Sequence, residues 1–275
     1  MRLLLLGYPL SHSLSPAMHN AALAAVGLEG WRYEALPVEP HRLAEAVAAL
    51  RNTDQAGANV TVPYKEAVVP LIDGLTPVAE AMGAVNTLMK KDGRLIGHNT
   101  DAAGFLADLY AHDVHISDRP VLILGAGGAA RAAVAACAGV GAQLRVAARQ
   151  RERAETLKAI MPKIHIFNLT RPDFEQAARD AALIINCTPM GMSPNVEASP
   201  WVEGVPFTPG AFVYDMVYNP AETLLVHQAR AAGLRAATGL GMLVEQGALA
   251  FELWTGHTAP RQLMREAAET KLRHP

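Results

Sequence analysis

The chain has 275 residues, enough for one large domain or two modest ones with a substantial core. Apolar residues make up 51% and charged residues 18%, and the formal net charge is −2, so nothing in the balance calls for a nucleic-acid or membrane-surface partner. Aromatic residues are scarce and interleave with no basic stripe, which argues against a base-stacking surface.

Met1-Arg2 followed by Leu3 to Leu6 superficially resembles a signal peptide, but the apolar run stops at Gly7-Tyr8-Pro9 with no small-residue cleavage site behind it. A buried strand accounts for it better. No other apolar stretch is long enough to span a bilayer. Cys137 and Cys187 lie far apart and form no CxxC pattern, which is the usage expected of two reduced thiols in a cytoplasmic protein. The histidines form no HExxH or comparable cluster, so no metal is expected.

Strand-like and helix-like pieces alternate, which predicts an α/β fold. Leu3 to Leu6 leads through a loop to a helix opened by Ser15-Pro16, with serine read as N-cap, proline at the first turn and Gly27 at the end. A second unit runs through Gly57 to Pro63 into a helix beginning near Tyr64. A hairpin follows, Ala84 to Lys91 and Arg94 to Asp101, turned by Asp92-Gly93. Near Ala102 the pattern restarts with Val121 to Leu124, an uninterrupted apolar run of the kind buried parallel strands show. Strands at 144–147, 183–186, 212–215 and 234–237 then alternate with helical stretches. Leu240, Leu243, Val244, Gly247, Ala250, Phe251 and Trp254 repeat with helical periodicity. That last helix is expected to return to the first domain, giving residues 1–101 plus 240–275 as one domain and an inserted 102–239 as the other.

Gly125-Ala126-Gly127-Gly128-Ala129-Ala130 follows a buried strand and opens a helix. Gly125 permits the turn, Gly127 lets backbone approach a pyrophosphate, and the helix N-terminus offers N–H groups to it. Glycine runs also serve as plain turns, but the strand–loop–helix setting favours a dinucleotide. At the end of the next strand an acid would select NAD; here stand Ala147-Ala148-Arg149-Gln150-Arg151, with Arg153 close behind. Guanidinium groups suit a 2′-phosphate, so NADP is expected, the plainer alternative being a solvated basic helix start.

In the first domain, Ser13 and Ser15 lie where a strand gives way to a helix and are placed to bond a carboxylate, unless Ser15 is simply a cap. Lys65 is expected in the first turn of its helix, where the dipole disfavours a cation and eases proton loss. Counting back along the hairpin sets Asn86 opposite Asn99, and strand alternation puts Asn86, Asn99 and Asp101 on one face. Two amides and a carboxylate are poor core material and good partners for hydroxyls; if that face meets Lys65, the Lys65–Asp101 pair can manage a proton.

With these stretches in hand, the chain resembles the shikimate dehydrogenase family. The matching segments are Gly7 to Pro16, Asn59 to Lys65, Gly83 to Thr87, Asn99 to Gly104, the glycine loop, Asn186-Cys187-Thr188-Pro189-Met190-Gly191, Asp215-Met216-Val217-Tyr218 and Gly241 to Gln246, in family order. The resemblance implies reversible NADPH reduction of 3-dehydroshikimate to shikimate in aromatic amino-acid biosynthesis. It implies Lys65 and Asp101 as the catalytic pair, Ser13 and Ser15 on the carboxylate, and Thr61, Asn86, Asp101 and Gln246 on ring hydroxyls, with Tyr218 close to substrate. It likewise places Gly125 to Ala129, Arg149, Arg153, Thr188, Met190 and Met216 on NADP, with Gly239 and Met242 lining the nicotinamide pocket. The implied fold is a substrate domain completed by C-terminal helices, with a Rossmann-like domain inserted, as monomer or homodimer. Family members using NADP often carry Asn-Arg-Thr where this chain has Ala148-Arg149-Gln150, so the flanking ribose contacts differ. A quinate/shikimate dehydrogenase tolerant of NAD is the nearest alternative. Methylenetetrahydrofolate dehydrogenase leaves the Ser13/Ser15 pair and Asp101 unexplained, and a non-catalytic metabolite sensor is the alternative from another class.

Overall fold

The computed structural model describes residues 1–52 and 54–274. The chain divides into two compact units, Met1–Gly104 with Leu243–Pro275, and Phe105–Met242. In chain order, the first unit holds β1 (Arg2–Gly7), α1 (Ser15–Ala25), β2 (Arg32–Pro37), α2 (Leu43–Ala49), β3 (Gln55–Val60), β4 (Gly74–Leu75), α3 (Pro77–Met82), β5 (Thr87–Lys91) and β6 (Arg94–His98). Helix α4 (Asp101–Ala111) begins in this unit and ends in the second.

The second unit continues with β7 (Pro120–Leu124), α5 (Gly128–Gly139), β8 (Gln143–Ala147), α6 (Arg151–Glu155), β9 (His165–Phe167), α7 (Arg171–Ala178), β10 (Leu183–Asn186), β11 (Phe212–Asp215), α8 (Leu224–Ala231) and β12 (Arg235–Thr238). Helix α9 (Leu240–Thr255) starts there and carries the chain back to the first unit, where α10 (Arg261–Arg273) packs on α1.

The first sheet is mixed, in the order β2-β1-β3-β5-β6-β4. Strand β1 lies parallel to β2 and β3, while β5 is antiparallel to both β3 and β6. Its core gathers Leu4, Leu6, Val47, Leu50, Val60, Val68, Val85, Leu88 and Leu95, and each fully buried Leu or Val contributes about 1.5–3 kcal/mol of transfer free energy. The hairpin turn takes the expected form: Asp92 and Gly93 both have positive φ, and Lys91 pairs with Arg94.

The second sheet is parallel throughout, in the order β12-β11-β10-β7-β8-β9. Strand order reverses at β7, whose chain continues on one side to β8 and β9 and later on the other to β10, β11 and β12. Loops leaving the carboxyl ends of β7 and β10 therefore diverge, the arrangement that opens a ligand crevice in such sheets. This is the expected α/β, Rossmann-like architecture.

Three local expectations need correction. Leu14, in helical conformation, occupies the N-cap of α1; Ser15 is the first helical residue and makes no capping bond. Pro16 lacks an N–H and belongs in the first turn either way. No α-helix starts at Tyr64: the chain makes tight turns there and then a short 3₁₀ turn at Val69–Leu71. Pro70 has no N–H to return to Glu66, and the Lys65 carbonyl is taken by the Val85 N–H at 2.7 Å instead of by a helical partner. With no helix there, Lys65 feels no helix dipole to ease its proton loss. Finally, β6 ends at His98, so Asp101 is a helical residue and does not reach Asn86 by strand alternation.

Candidate active site

In the first unit the polar residues collect at one end of the sheet. The carboxyl ends of β1, β3 and β6 lead into the Ser11–Leu14 loop, Thr61 and the Asn99–Asp101 turn, while antiparallel β5 begins beside them just after Asn86. Backbone bonds lock these segments together: Thr61 N–H donates to Leu6, Val60 N–H to Asn86, and Asn86 N–H to His98.

Lys65 Nζ donates to Asp101 Oδ2 at 2.8 Å, and the other carboxylate oxygen accepts Asn86 Nδ2 at 2.9 Å. Asp101 is almost fully buried and Lys65 is about one-fifth exposed, so the ammonium keeps access to solvent or ligand while its counter-ion does not. Charge-assisted bonds of this length are the strong kind, and the low local dielectric strengthens them. Asn86 Nδ2 also reaches Thr100 Oγ1 at 2.8 Å and Gln246 Oε1 at 3.2 Å, so two protons serve three acceptors and Gln246 is the most lightly held. Gln246 is steadied from its other end, Nε2 donating to the Leu243 carbonyl.

Asn99 does not join this cluster. Its Oδ1 accepts the Asp101 N–H and its Nδ2 donates to the Ala84 carbonyl, so it closes the turn into α4. Ser13 Oγ accepts the Ser15 N–H at 3.3 Å, and Ser15 is nearly buried. The structure thus brings Lys65, Asn86, Asp101 and Gln246 into direct contact and sets Ser13 and Thr61 on neighbouring loops, and Ser15 in the first turn of α1, at the same sheet end.

In the second unit Gly125 has φ +107°, a conformation side chains other than hydrogen rarely adopt. A Cβ there would lie 2.9 Å from Thr188 Cγ2. At Gly127, the N-cap of α5, a Cβ would meet nothing within 4 Å, which leaves the helix N-terminus open to a phosphate. Ala126, Gly128 and Ala129 complete the loop and the first turn of α5. Arg149 and Arg153 are exposed, the first just past β8 and the second on α6, both free of the burial that would disfavour an anion's approach. These residues fit a dinucleotide carrying an extra phosphate.

Asp215, at the end of β11, organises the opposite wall of that crevice. Its Oδ1 accepts Asn186 Nδ2 at 2.8 Å and the Val217 N–H at 3.0 Å, and its Oδ2 accepts the Thr223 hydroxyl at 2.6 Å. Burial pushes this carboxyl up from the usual carboxylate range, against the pull of the three donors. Asn186 Oδ1 in turn holds both the N–H and the hydroxyl of Thr188, and Thr188 Oγ1 accepts the Met190 N–H. Met216 and Tyr218 lie one and three residues past Asp215, and burial raises the Tyr218 phenol above its ordinary value. Gly239 admits no side chain, since a Cβ would sit 2.3 Å from the Met216 carbonyl oxygen; Met242 lies three residues on, in the first turn of α9.

Sequence reasoning did not single out Tyr33, Asn59, Thr87, Thr100 or Thr223, all buried and all in these networks. Each reads alone as an ordinary strand or loop residue. Among the described residues no group of three or more His, Cys, Asp or Glu side chains is arranged to hold a metal, and no helix is long and apolar enough to cross a membrane.

Residues 5–88 match the model of the shikimate dehydrogenase substrate binding domain, and residues 239–269 that of the shikimate 5'-dehydrogenase C-terminal domain. Residues 109–200 match the alanine dehydrogenase/PNT C-terminal domain. The shikimate dehydrogenase (NADP(+)) of Symbiobacterium thermophilum is 45% identical over 273 residues, 96% of this chain and 92% of that protein. Shikimate 5-dehydrogenase from Thermus thermophilus, solved in complex with NADP(H) and shikimate, superposes with a TM-score of 0.90 at 39% identity, covering 98% of this chain and 99% of that one. Quinate dehydrogenase from Corynebacterium glutamicum, in complex with NAD, gives a TM-score of 0.89 at 31% identity, covering 98% and 99%. Identity of this order along nearly the whole length means that the chain belongs to the shikimate dehydrogenase family.

Proposed function

We propose that the chain catalyses the reversible NADPH-dependent reduction of 3-dehydroshikimate to shikimate, a step of aromatic amino-acid biosynthesis. The observation that carries the reading is the Lys65–Asp101–Asn86 cluster: a part-exposed ammonium 2.8 Å from a buried carboxylate that an amide holds from behind. In this reading Met1–Gly104 with Leu243–Pro275 binds substrate and Phe105–Met242 binds NADP.

Bound NADPH supplies the hydride, and the protein supplies orientation and charge. Ser13 and Ser15 hold the substrate carboxylate, and Thr61, Asn86, Asp101 and Gln246 take its hydroxyls, with Tyr218 near the substrate. Lys65 donates to the ketone oxygen and gives up a proton as that oxygen gains negative charge; in the oxidative direction it takes the proton back. Asp101 keeps the ammonium aimed and compensates its charge in a low dielectric. Gly125 to Ala129 cradle the pyrophosphate, Arg149 and Arg153 meet the 2′-phosphate, Thr188, Met190 and Met216 contact the cofactor, and Gly239 and Met242 border the nicotinamide.

The test is nicotinamide reduction by the purified chain with shikimate, run with NADP and with NAD, and with quinate as second substrate. Rapid NADP reduction with shikimate and little with the other pairs is expected. Replacing Lys65 by Ala should lower kcat far more than it raises KM. Binding of shikimate without turnover would sink the enzyme reading in favour of a sensor. A second reading, broader quinate and NAD use, is favoured by Ala148 and Gln150 flanking Arg149, and comparable rates with those substrates would establish it.

A further inference from the structure

Behind the Lys65–Asp101 pair runs a buried chain of hydrogen bonds whose directions are all forced. A backbone N–H can only donate, and the Thr100 N–H meets Asn86 Oδ1 at 2.9 Å, so the Asn86 amide must turn its NH2 to Asp101. A backbone carbonyl can only accept, and the Asn86 carbonyl meets Asn59 Nδ2 at 3.0 Å. Asn59 Oδ1 therefore faces the Tyr33 hydroxyl, which donates to it at 2.7 Å. Asn59 Nδ2 also donates to Thr87 Oγ1 at 3.2 Å, which leaves the Thr87 proton for Asn86 Oδ1 at 2.8 Å.

The sheet makes this possible. Asn59 on β3 and Thr87 on β5 are cross-strand partners, so the antiparallel register sets amide against hydroxyl. Thr87 is fully buried and Tyr33, Asn59, Asn86 and Thr100 nearly so, which denies each of them water as a substitute partner. Valine would fill the Thr87 space equally well, so shape alone does not call for a hydroxyl at this position.

We propose that Thr87, backed by Asn59 and Tyr33, is a positioning residue for the reaction: it fixes the Asn86 amide and through it holds the Asp101 carboxylate toward Lys65. The inference rests on the dehydrogenase reading above.

The test is steady-state shikimate oxidation with NADP by the full chain and its variants. Thr87→Val should lower kcat/KM for shikimate about tenfold, the worth of one buried hydrogen bond, and leave KM for NADP within about twofold. Thr87→Ser should recover all but about threefold. In an Asn86→Ala background, Thr87→Val should change kcat/KM by less than about twofold, because its effect passes through Asn86. Unchanged shikimate kinetics in Thr87→Val overturn the proposal, as do losses that multiply in the double variant, or a drop in melting temperature with kinetics per folded molecule intact. Should the valine variant not fold, Tyr33→Phe removes a single oxygen from the same chain of hydrogen bonds and should cost about threefold in kcat/KM for shikimate alone; wild-type values there also overturn it. Absence of turnover in the unmodified chain would instead sink the dehydrogenase reading.

Discussion

His19 lies wholly inside the first unit, its ring stacked on Tyr33 with centroids 4.2 Å apart and planes 7° from parallel, and flanked by Phe251 and Trp254. Neither ring nitrogen has a hydrogen-bond partner, and burial drives its pKa down to about 3. The folded chain therefore keeps His19 neutral across a range where the unfolded chain, titrating near 6.5, takes up a proton. The stability this confers is complete above pH 6.5 and drains away as pH falls toward 3, at about 1.4 kcal/mol per unit. Between pH 6.5 and 5 the loss is about 2 kcal/mol. Urea unfolding of the first unit at pH 7 and pH 5 should show this fall in the unmodified chain and a shallower one in His19→Phe. An equal fall in both would show that other groups carry the acid sensitivity.

At the scale of elements, the β7–Gly125–α5 connection concentrates the demands on backbone. Gly125→Ala would place a methyl group against Thr188 in a left-handed conformation, a strain of about 1–3 kcal/mol relieved only by moving the loop. NADP affinity, followed by fluorescence titration, should fall at least about tenfold, and an unchanged Kd would remove this loop from the cofactor site. This connection was legible in sequence because the uninterrupted Val121–Leu124 run and the glycines are local signals. So was the hairpin turn, written in Asp92-Gly93. Strand β2 was not: of its six residues only Tyr33 is buried, which leaves no alternation to read. Strand β9 is a three-residue sheet edge with no fully buried residue. The bend at Lys65 follows from a carbonyl captured by Val85, twenty residues away, and local propensity carries no trace of that. In the site, Asn86 and Asp101 stood out as polar residues that make poor core material, whereas Lys65 was marked by a helix that does not form. Asn59 and Thr87 acquire meaning only once the register of β3 and β5 sets them face to face.

For the molecule as a whole, two units with separate ligands should respond separately to them. A ligand at one hundred times its Kd adds about 2.7 kcal/mol to whatever it binds. In hydrogen exchange, NADP alone should slow amides of Phe105–Met242, Gly125 to Ala130 among them, and shikimate alone should slow those near Ser13, Thr61 and Asn86. Protection by NADP confined to the first unit would reverse the assignment. The division of the chain also bears on its birth at the ribosome. The second unit is a continuous stretch, Phe105–Met242, and emerges in full while the first still waits for Leu243–Pro275. Until that segment appears, His19 and Tyr33 lack Phe251 and Trp254, and Asn86 lacks Gln246. The half that begins synthesis first is thus the half that finishes folding last, and the nascent chain carries an unfinished apolar face through most of its translation.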